Sequence, residues 1–444
     1  MHMTIRSRAS GHFPSQQAPS SRRSDSFVIA FRRVVLSLLF SLVALTPSTR
    51  ADATAGLDYR ADFVSTRPDR HEPLKILDTE IEPGTLSRLI LSVSESFAGS
   101  HVETSVFVMR GELPGPVLCI IAGVHGDEVN GVEVVRRTLR ALTPASLRGT
   151  MIAVPIANPS AFRRGSRYLP DRRDLNRYFP GRSRGSSASR IAHGLFQNVV
   201  RKCGAVVDLH TGSFQRSNLH QLRADLSGRD TAELSAAFGA SVIVNNAGRT
   251  GTLRRAATDQ GIPAITVEAG ESARFDENHV LEALDGIMRL LRTRGMIVET
   301  EFVAIPEPPI RLVAPDRPPL GPVFDLEDPS AIDPTAYLKT RWIRCDQGGI
   351  LVSQIRLGEE VRAGQVLGTI SDPLSDEVEG IASPLAGKVI GMALDQVVMP
   401  GFAAYHIAFD ARPLREMSAT AAEVSAEMGS EDRLEGLDLE ERPE

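Results

Sequence analysis

Between residues 117 and 294, apolar runs of strand length alternate with stretches of helical periodicity, and this alternation constrains the fold more than any other feature of the chain. The runs cover 117–122, 151–156, 205–209, 242–244 and 264–267. Helices are predicted between and after them at 128–142, 187–200, 231–238 and 278–294. Strands that are apolar on both faces must be covered on both, so the pattern predicts an α/β fold, a mixed sheet with helices on both faces. In such sheets ligands gather beyond the carboxyl ends of the strands. Ahead of this block, 88–93 and 104–109 read as short strands in otherwise irregular structure.

A Pro-rich stretch, Ile305-Pro306-Glu307-Pro308-Pro309 followed by Pro315, Pro318 and Pro319, marks a boundary. Beyond it, 348–409 carries short strand patterns and turn signals, which predicts a small C-terminal β domain. The 444 residues then divide into a leader at 1–53, an α/β domain at 54–304, a β-rich domain at 305–414 and an acidic, disordered tail at 415–444.

Charge is distributed unevenly over these parts. Of the formal net charge of -5, the first 53 residues carry seven Arg against two Asp, and the last 30 carry ten acidic against three basic residues, leaving the body near neutral. A near-neutral body has no field suited to nucleic acid. Only Lys75, Lys202, Lys339 and Lys388 among the 50 basic residues are lysine, so an arginine counts as evidence only where its position supports it.

The leader has the three parts of an export signal: Arg32-Arg33, an apolar run of 12 residues at 34–45, and the small-x-small site Ala51-Asp52-Ala53. The expectation is an exported, periplasmic protein cleaved near Ala53. The run is shorter than the ~20 apolar residues that cross a bilayer, so no stable membrane span is expected. Cys119, Cys203 and Cys345 are too few and too scattered for a disulfide framework, and Cys119, inside an apolar strand, is expected to remain a buried thiol.

Three predicted strands end in groups that bind metals or move protons: His125 and Glu128 after the first, His210 in Asp208-Leu209-His210-Thr211-Gly212, and Glu268 in Val267-Glu268-Ala269-Gly270. A catalytic zinc takes three protein ligands from imidazole and carboxylate and leaves a fourth position to water, and His125, Glu128 and His210 supply such a set. The H-x-x-E spacing places a histidine at the strand end and a glutamate on the first turn of the next helix. Glu268 then suits the general base, which takes a proton from a zinc-activated water and delivers it to a leaving amine. Glu271, three residues on and read as outside the strand proper, is its rival, and Glu268 is preferred. His193, His220 and His279 lack such placement and are expected at the surface or at helix caps.

These residues, together with Asp174-Leu175-Asn176-Arg177-Tyr178-Phe179-Pro180-Gly181, resemble the succinylglutamate desuccinylase and aspartoacylase family, a branch of the zinc carboxypeptidase fold. The resemblance spans roughly 85–410. It implies a hydrolase holding one zinc ion, which cleaves the amide of an N-acyl amino acid. It further implies that Asn176 and Arg177 clamp the substrate carboxylate, that Arg167 stabilises the oxyanion, and that Asp174 holds the first zinc histidine. The segment 216–225 is similar to the branch that contains the N-acetyl-diaminobutyrate deacetylase, with Arg216 and Asn218 near the pocket.

The C-terminal segment, with Gly348-Gly349-Ile350, Val361 to Gly368 and Ala382 to Val389, resembles the barrel-sandwich fold of biotinyl and lipoyl carriers. The hairpin where carriers present a modified lysine has none here, and Lys388 falls in the second half, so an unmodified domain bordering the active site is expected. The partners expected are a small N-acyl amino acid substrate, no nucleic acid, and an assembly that leaves a homo-oligomer open. Two other readings stand beside the deacylase: an exported zinc carboxypeptidase or amidase acting on peptides, and a non-catalytic binding protein of the same fold.

Overall fold

The computed structural model describes residues 74–95, 101–297, 334–375 and 377–419. The leader, the Pro-rich boundary and the tail beyond residue 419 lie outside the described residues. In order, the first part runs β1 (Leu74–Ile76), β2 (Thr79–Ile81), β3 (Thr85–Glu95), β4 (His101–Arg110), β5 (Leu113–Ile121), α1 (Val129–Ala141), β6 (Arg148–Val154) and α2 (Pro159–Phe162). It continues through α3 (Ser187–Asn198), β7 (Ala205–Gly212), β8 (Arg216–Ala224), α4 (Arg229–Phe238), β9 (Val242–Asn245), α5 (Leu253–Thr258), β10 (Ala264–Glu271) and α6 (Glu277–Thr293). The C-terminal part adds β11 (Thr335–Arg344), β12 (Gly349–Ser353), β13 (Glu360–Val361), β14 (Val366–Ser371), β15 (Val378–Ala382), β16 (Gly387–Ala393), β17 (Gln396–Val398), β18 (Ala403–Pro413) and α7 (Leu414–Ala419).

Twelve strands form one mixed sheet in the order β13-β16-β18-β11-β9-β8-β10-β7-β5-β6-β4-β3. At its centre β6, β5, β7 and β10 are parallel, so their carboxyl ends share one edge. Helices cover both faces as the apolar runs require: α1, α4 and α6 bury Val134, Phe238, Leu284 and Ile287 on one side, while α3 and α5 bury Ile191, Phe196, Leu253 and Ala257 on the other. Side-chain caps fix several helix starts, with Ser186 accepting from the Ser189 amide at α3 and Asp276 from the Asn278 and His279 amides at α6.

The sheet does not stop at the first part. β11 pairs in parallel with β9, and β16 pairs antiparallel with β8, so the C-terminal strands extend the catalytic sheet. A second, four-stranded sheet of order β15-β14-β12-β17 packs over a core that includes Leu351, Leu367, Ile370, Val389 and Tyr405. Lys388 lies in β16, with Nζ 3.2 Å from Glu360 Oε1.

Three expectations are corrected. Cys119 is not a free thiol but is joined to Cys203, because β5 and β7 are neighbours and the chain enters β7 just after Cys203, bringing the two Cα atoms to 5.7 Å. Cys345 alone among the cysteines is free, and it is buried. Arg415 to Ala419 belong to α7, whose Leu414 and Met417 are buried against the fold, so ordered structure runs into the segment read as tail. His220 is not at the surface: 12% of its side chain is exposed, and its ring stacks on Phe238 at 6.0 Å. No helix among the described residues is long and apolar enough to cross a membrane.

Candidate metal centre

The parallel strands set the site. Ile121 of β5 is level with Asp208 of β7, and His210 of β7 is level with Glu268 of β10, so the turn after β5 and these two strands deliver their side chains to one place. Glu128 occupies the N-cap position of α1 but makes no cap hydrogen bond; its carboxylate turns to the two histidines instead. Glu128 Oε1 lies 2.7 Å from His125 Nδ1, and Oε2 lies 2.8 Å from His210 Nδ1 and accepts from the Thr211 amide at 3.2 Å. The far nitrogens are also held: His125 Nε2 is 3.0 Å from Asp174 Oδ1, and His210 Nε2 is 3.0 Å from Asp208 Oδ2.

One ligand atom from each of His125, Glu128 and His210 can be chosen so that all lie within 4.8 Å of one another, and all three residues are buried. This group could hold a metal ion. Two imidazoles turned by their Nδ1 atoms to one carboxylate, each with Nε2 engaged by an aspartate, are a donor set that fits a catalytic metal. Burial works against the charge on Glu128, but the positive fields of His125 and His210 outweigh it and hold the carboxyl well below the usual range. Asp174 is likewise held low despite its burial, by His125 and Arg167.

Arg167 is 9% exposed and reaches into the same place. Its Nη1 is 3.2 Å from His125 Nδ1 and donates to Ser213 Oγ, while Nη2 donates to Asp174 Oδ2 at 2.8 Å. The loop before it is pinned by the Gly126 amide, which donates to the Ser166 carbonyl at 3.0 Å. Only glycine permits this approach, since a Cβ at Gly126 would sit 2.0 Å from the Ala161 carbonyl carbon. Arg163, Arg164, Arg172, Arg173, Arg182 and Arg184 of the same region are exposed. Asn176 is buried and its Oδ1 accepts from the Leu253 amide at 2.8 Å, whereas half-buried Arg177 donates through Nη1 to the Asn176 carbonyl.

Glu268 is 7% exposed, and its carboxyl is pushed up by burial, against the opposing fields of Arg223 and His210. Asn218 Nδ2 donates to Glu268 Oε2 at 2.9 Å, and Arg223 Nε lies 3.5 Å from Oε1. Glu271 lies within β10 rather than beyond it, and pairs with Arg274 at 2.9 Å. It lines a neighbouring cavity of about 440 Å³ at the seam with the C-terminal strands. Arg216 faces that seam, its guanidinium 4.5 Å from the Phe402 ring centre and 5.1 Å from that of Trp342.

Sequence reading missed Asp208 and Arg223. Asp208 has a usable signal, because residues two apart on a strand share a face and Asp208 stands two before His210.

Residues 114–294 match the family described as Succinylglutamate desuccinylase/Aspartoacylase catalytic domain. That segment belongs to this family. The N-alpha-acetyl-L-2,4-diaminobutyric acid deacetylase of Halomonas elongata is 27% identical over 325 residues, 70% of this chain and 87% of the relative. A succinylglutamate desuccinylase of Pseudomonas aeruginosa is 30% identical over 198 residues, 40% of this chain and 58% of the relative, so the chain spans less than two thirds of that protein. Among solved structures, a succinylglutamate desuccinylase/aspartoacylase from Rhodobacter sphaeroides aligns with a TM-score of 0.61 at 23% identity, over 76% of this chain and 100% of that one. The product-bound Ectoine utilization protein of Ruegeria pomeroyi aligns with a TM-score of 0.61 at 20% identity, over 73% of this chain and 95% of that one. At these identities the two structures establish the α/β fold.

Proposed function

We propose that the protein is a zinc-dependent amidohydrolase that cleaves the amide of an N-acyl amino acid into a carboxylate and a free amine. The observation that carries this reading is the convergence of His125, Glu128 and His210 beside Glu268, with Arg167 on the same site. His125, Glu128 and His210 would hold the ion. When bound, zinc acidifies a water toward a pKa of about 7 and polarises a carbonyl.

The protein's own groups do the rest. Glu268 takes the proton of the attacking water as its oxygen bonds to the amide carbon. A carboxyl pushed up by burial is the stronger base and takes that proton more readily; Glu268 then delivers it to the amine nitrogen as the C–N bond breaks. Arg167 faces the negative charge that develops on the carbonyl oxygen. Asp174 and Asp208 hold the two imidazoles in orientation, each through Nε2. Arg177 and the Asn176 amide nitrogen bind the substrate carboxylate; Asn176 Oδ1, taken by the Leu253 amide, fixes how that side chain is turned.

The similarity to a diaminobutyrate deacetylase over most of both chains supports a small N-acyl amino acid as substrate. Export to the periplasm is supported by the Cys119–Cys203 disulfide, since such bonds persist in oxidising compartments. The C-terminal strands form a barrel-sandwich-like unit without carrier function, a reading supported by the absence of lysine from 371–378. A hydrolysis screen of zinc-loaded protein against N-acetyl, N-succinyl and longer N-acyl amino acids, alongside dipeptides, tests the assignment. Release of amine from acyl amino acids is expected; turnover of dipeptides alone would assign the site to peptides.

A further inference from the structure

Strand β8 lies between the catalytic strand β10 and the C-terminal strand β16, and one level of the sheet crosses all three: Gly270, Asn218 and Gly391. At that level the Asn218 side chain is 4% exposed and donates through Nδ2 to Glu268 Oε2 at 2.9 Å. Its Oδ1 faces the other way, toward β16. A Cβ built on Gly391 would stand 2.8 Å from that oxygen, 3.3 Å from His406 Cβ and 3.7 Å from the Trp342 ring. The space cannot be recovered by shifting those neighbours, because Trp342 and His406 are stacked at 4.3 Å with rings 6° apart. Arg216 wedges against the same tryptophan and donates to the Ala403 carbonyl at 2.8 Å.

We propose that the C-terminal strands position the catalytic base: Gly391 leaves the room in which the Asn218 amide turns to hold Glu268, so Gly391 and Asn218 are positioning residues. The proposal rests on the deacylase reading for its kinetic consequence but not for its geometry. A glutamate base loses its advantage when it is free to turn, because catalysis is sensitive to displacements of about 1 Å. The base therefore depends on a residue more than 120 positions away in sequence, contributed by the other half of the sheet.

The test is a double-mutant cycle with Gly391→Ala and Asn218→Ala, read in zinc-loaded full-length protein together with crystal structures of the wild type and of each variant. Each single substitution is expected to lower kcat by about tenfold or more while KM and zinc content stay within twofold. The double variant should be no slower than Asn218→Ala alone, because Gly391 acts through the amide that the second change removes. In the Gly391→Ala structure the Asn218–Glu268 hydrogen bond should be broken. Independent, multiplicative losses in kcat, or that bond retained at its wild-type length, would overturn the proposal. If Gly391→Ala does not fold, Asn218→Ala and Asn218→Asp decide it: wild-type kcat in Asn218→Ala excludes the role. The structural comparison reads the geometry even if no N-acyl amino acid is turned over, which would instead count against the deacylase reading.

Discussion

Asp208 Oδ2 stands 3.0 Å from His210 Nε2, on the same strand and the same face, while His210 Nδ1 points to Glu128. The aspartate is 1% exposed, and this buried ion pair with the imidazole is the contact that balances its charge. An imidazole gripped at Nε2 is fixed in orientation and made a stronger donor at Nδ1. Asp208→Asn is therefore expected to weaken zinc binding about 10- to 100-fold, by analogy with other carboxylate partners of metal histidines. Competition with a chromophoric chelator measures this, and an unchanged zinc Kd would remove Asp208 from the account.

The Cys119–Cys203 bond closes a loop between residues 84 apart. Cross-links of that span stabilise by restricting the unfolded chain, typically by about 2–4 kcal/mol. Melting with and without reductant should differ accordingly, and Cys119→Ser should melt like the reduced wild type. Equal melting of oxidised and reduced protein would contradict a stabilising bond here.

His220 titrates inside the fold. Burial lowers its pKa to about 4, with Glu282 opposing and His279 and Arg289 adding to the shift. The folded state thus holds His220 neutral, while the unfolded chain protonates it below the ordinary histidine value of 6.5. Stability is fully present above that value, falls as pH drops toward 4, and the total loss from this one group is roughly 3 kcal/mol. Denaturation midpoints between pH 7 and 4 for the wild type and His220→Phe check the sign: the variant should lose part of the pH dependence. Parallel curves would assign that dependence elsewhere.

Much of this was legible in the chain, and the exceptions have physical causes. The parallel strands were visible because both faces are buried and each is a continuous apolar run, as in Leu118 to Ala122 and Ala264 to Val267. His210 and Glu268 stood out because each closes such a run, and His125 and Glu128 because they follow one within a few residues. Strand β8 was invisible for the opposite reason: it buries Arg216, Asn218 and Gln221, polar side chains that spoil an apolar pattern yet carry the contacts to Glu268 and the C-terminal strands. The disulfide was hidden because its partners meet through the lateral order of β5 and β7, which no local pattern encodes. Glu271 looked peripheral because Gly270, at φ +79°, interrupts the strand signal without ending the strand.

The most direct test of the central claim is the kcat of Glu268→Gln in protein loaded with zinc and assayed on the best N-acyl amino acid substrate. Glutamine keeps the shape and the contact with Asn218 but cannot take a proton. Loss of a general base predicts a fall in kcat of about 10²- to 10⁴-fold with zinc content unchanged. Wild-type turnover by the zinc-loaded variant would contradict the mechanism.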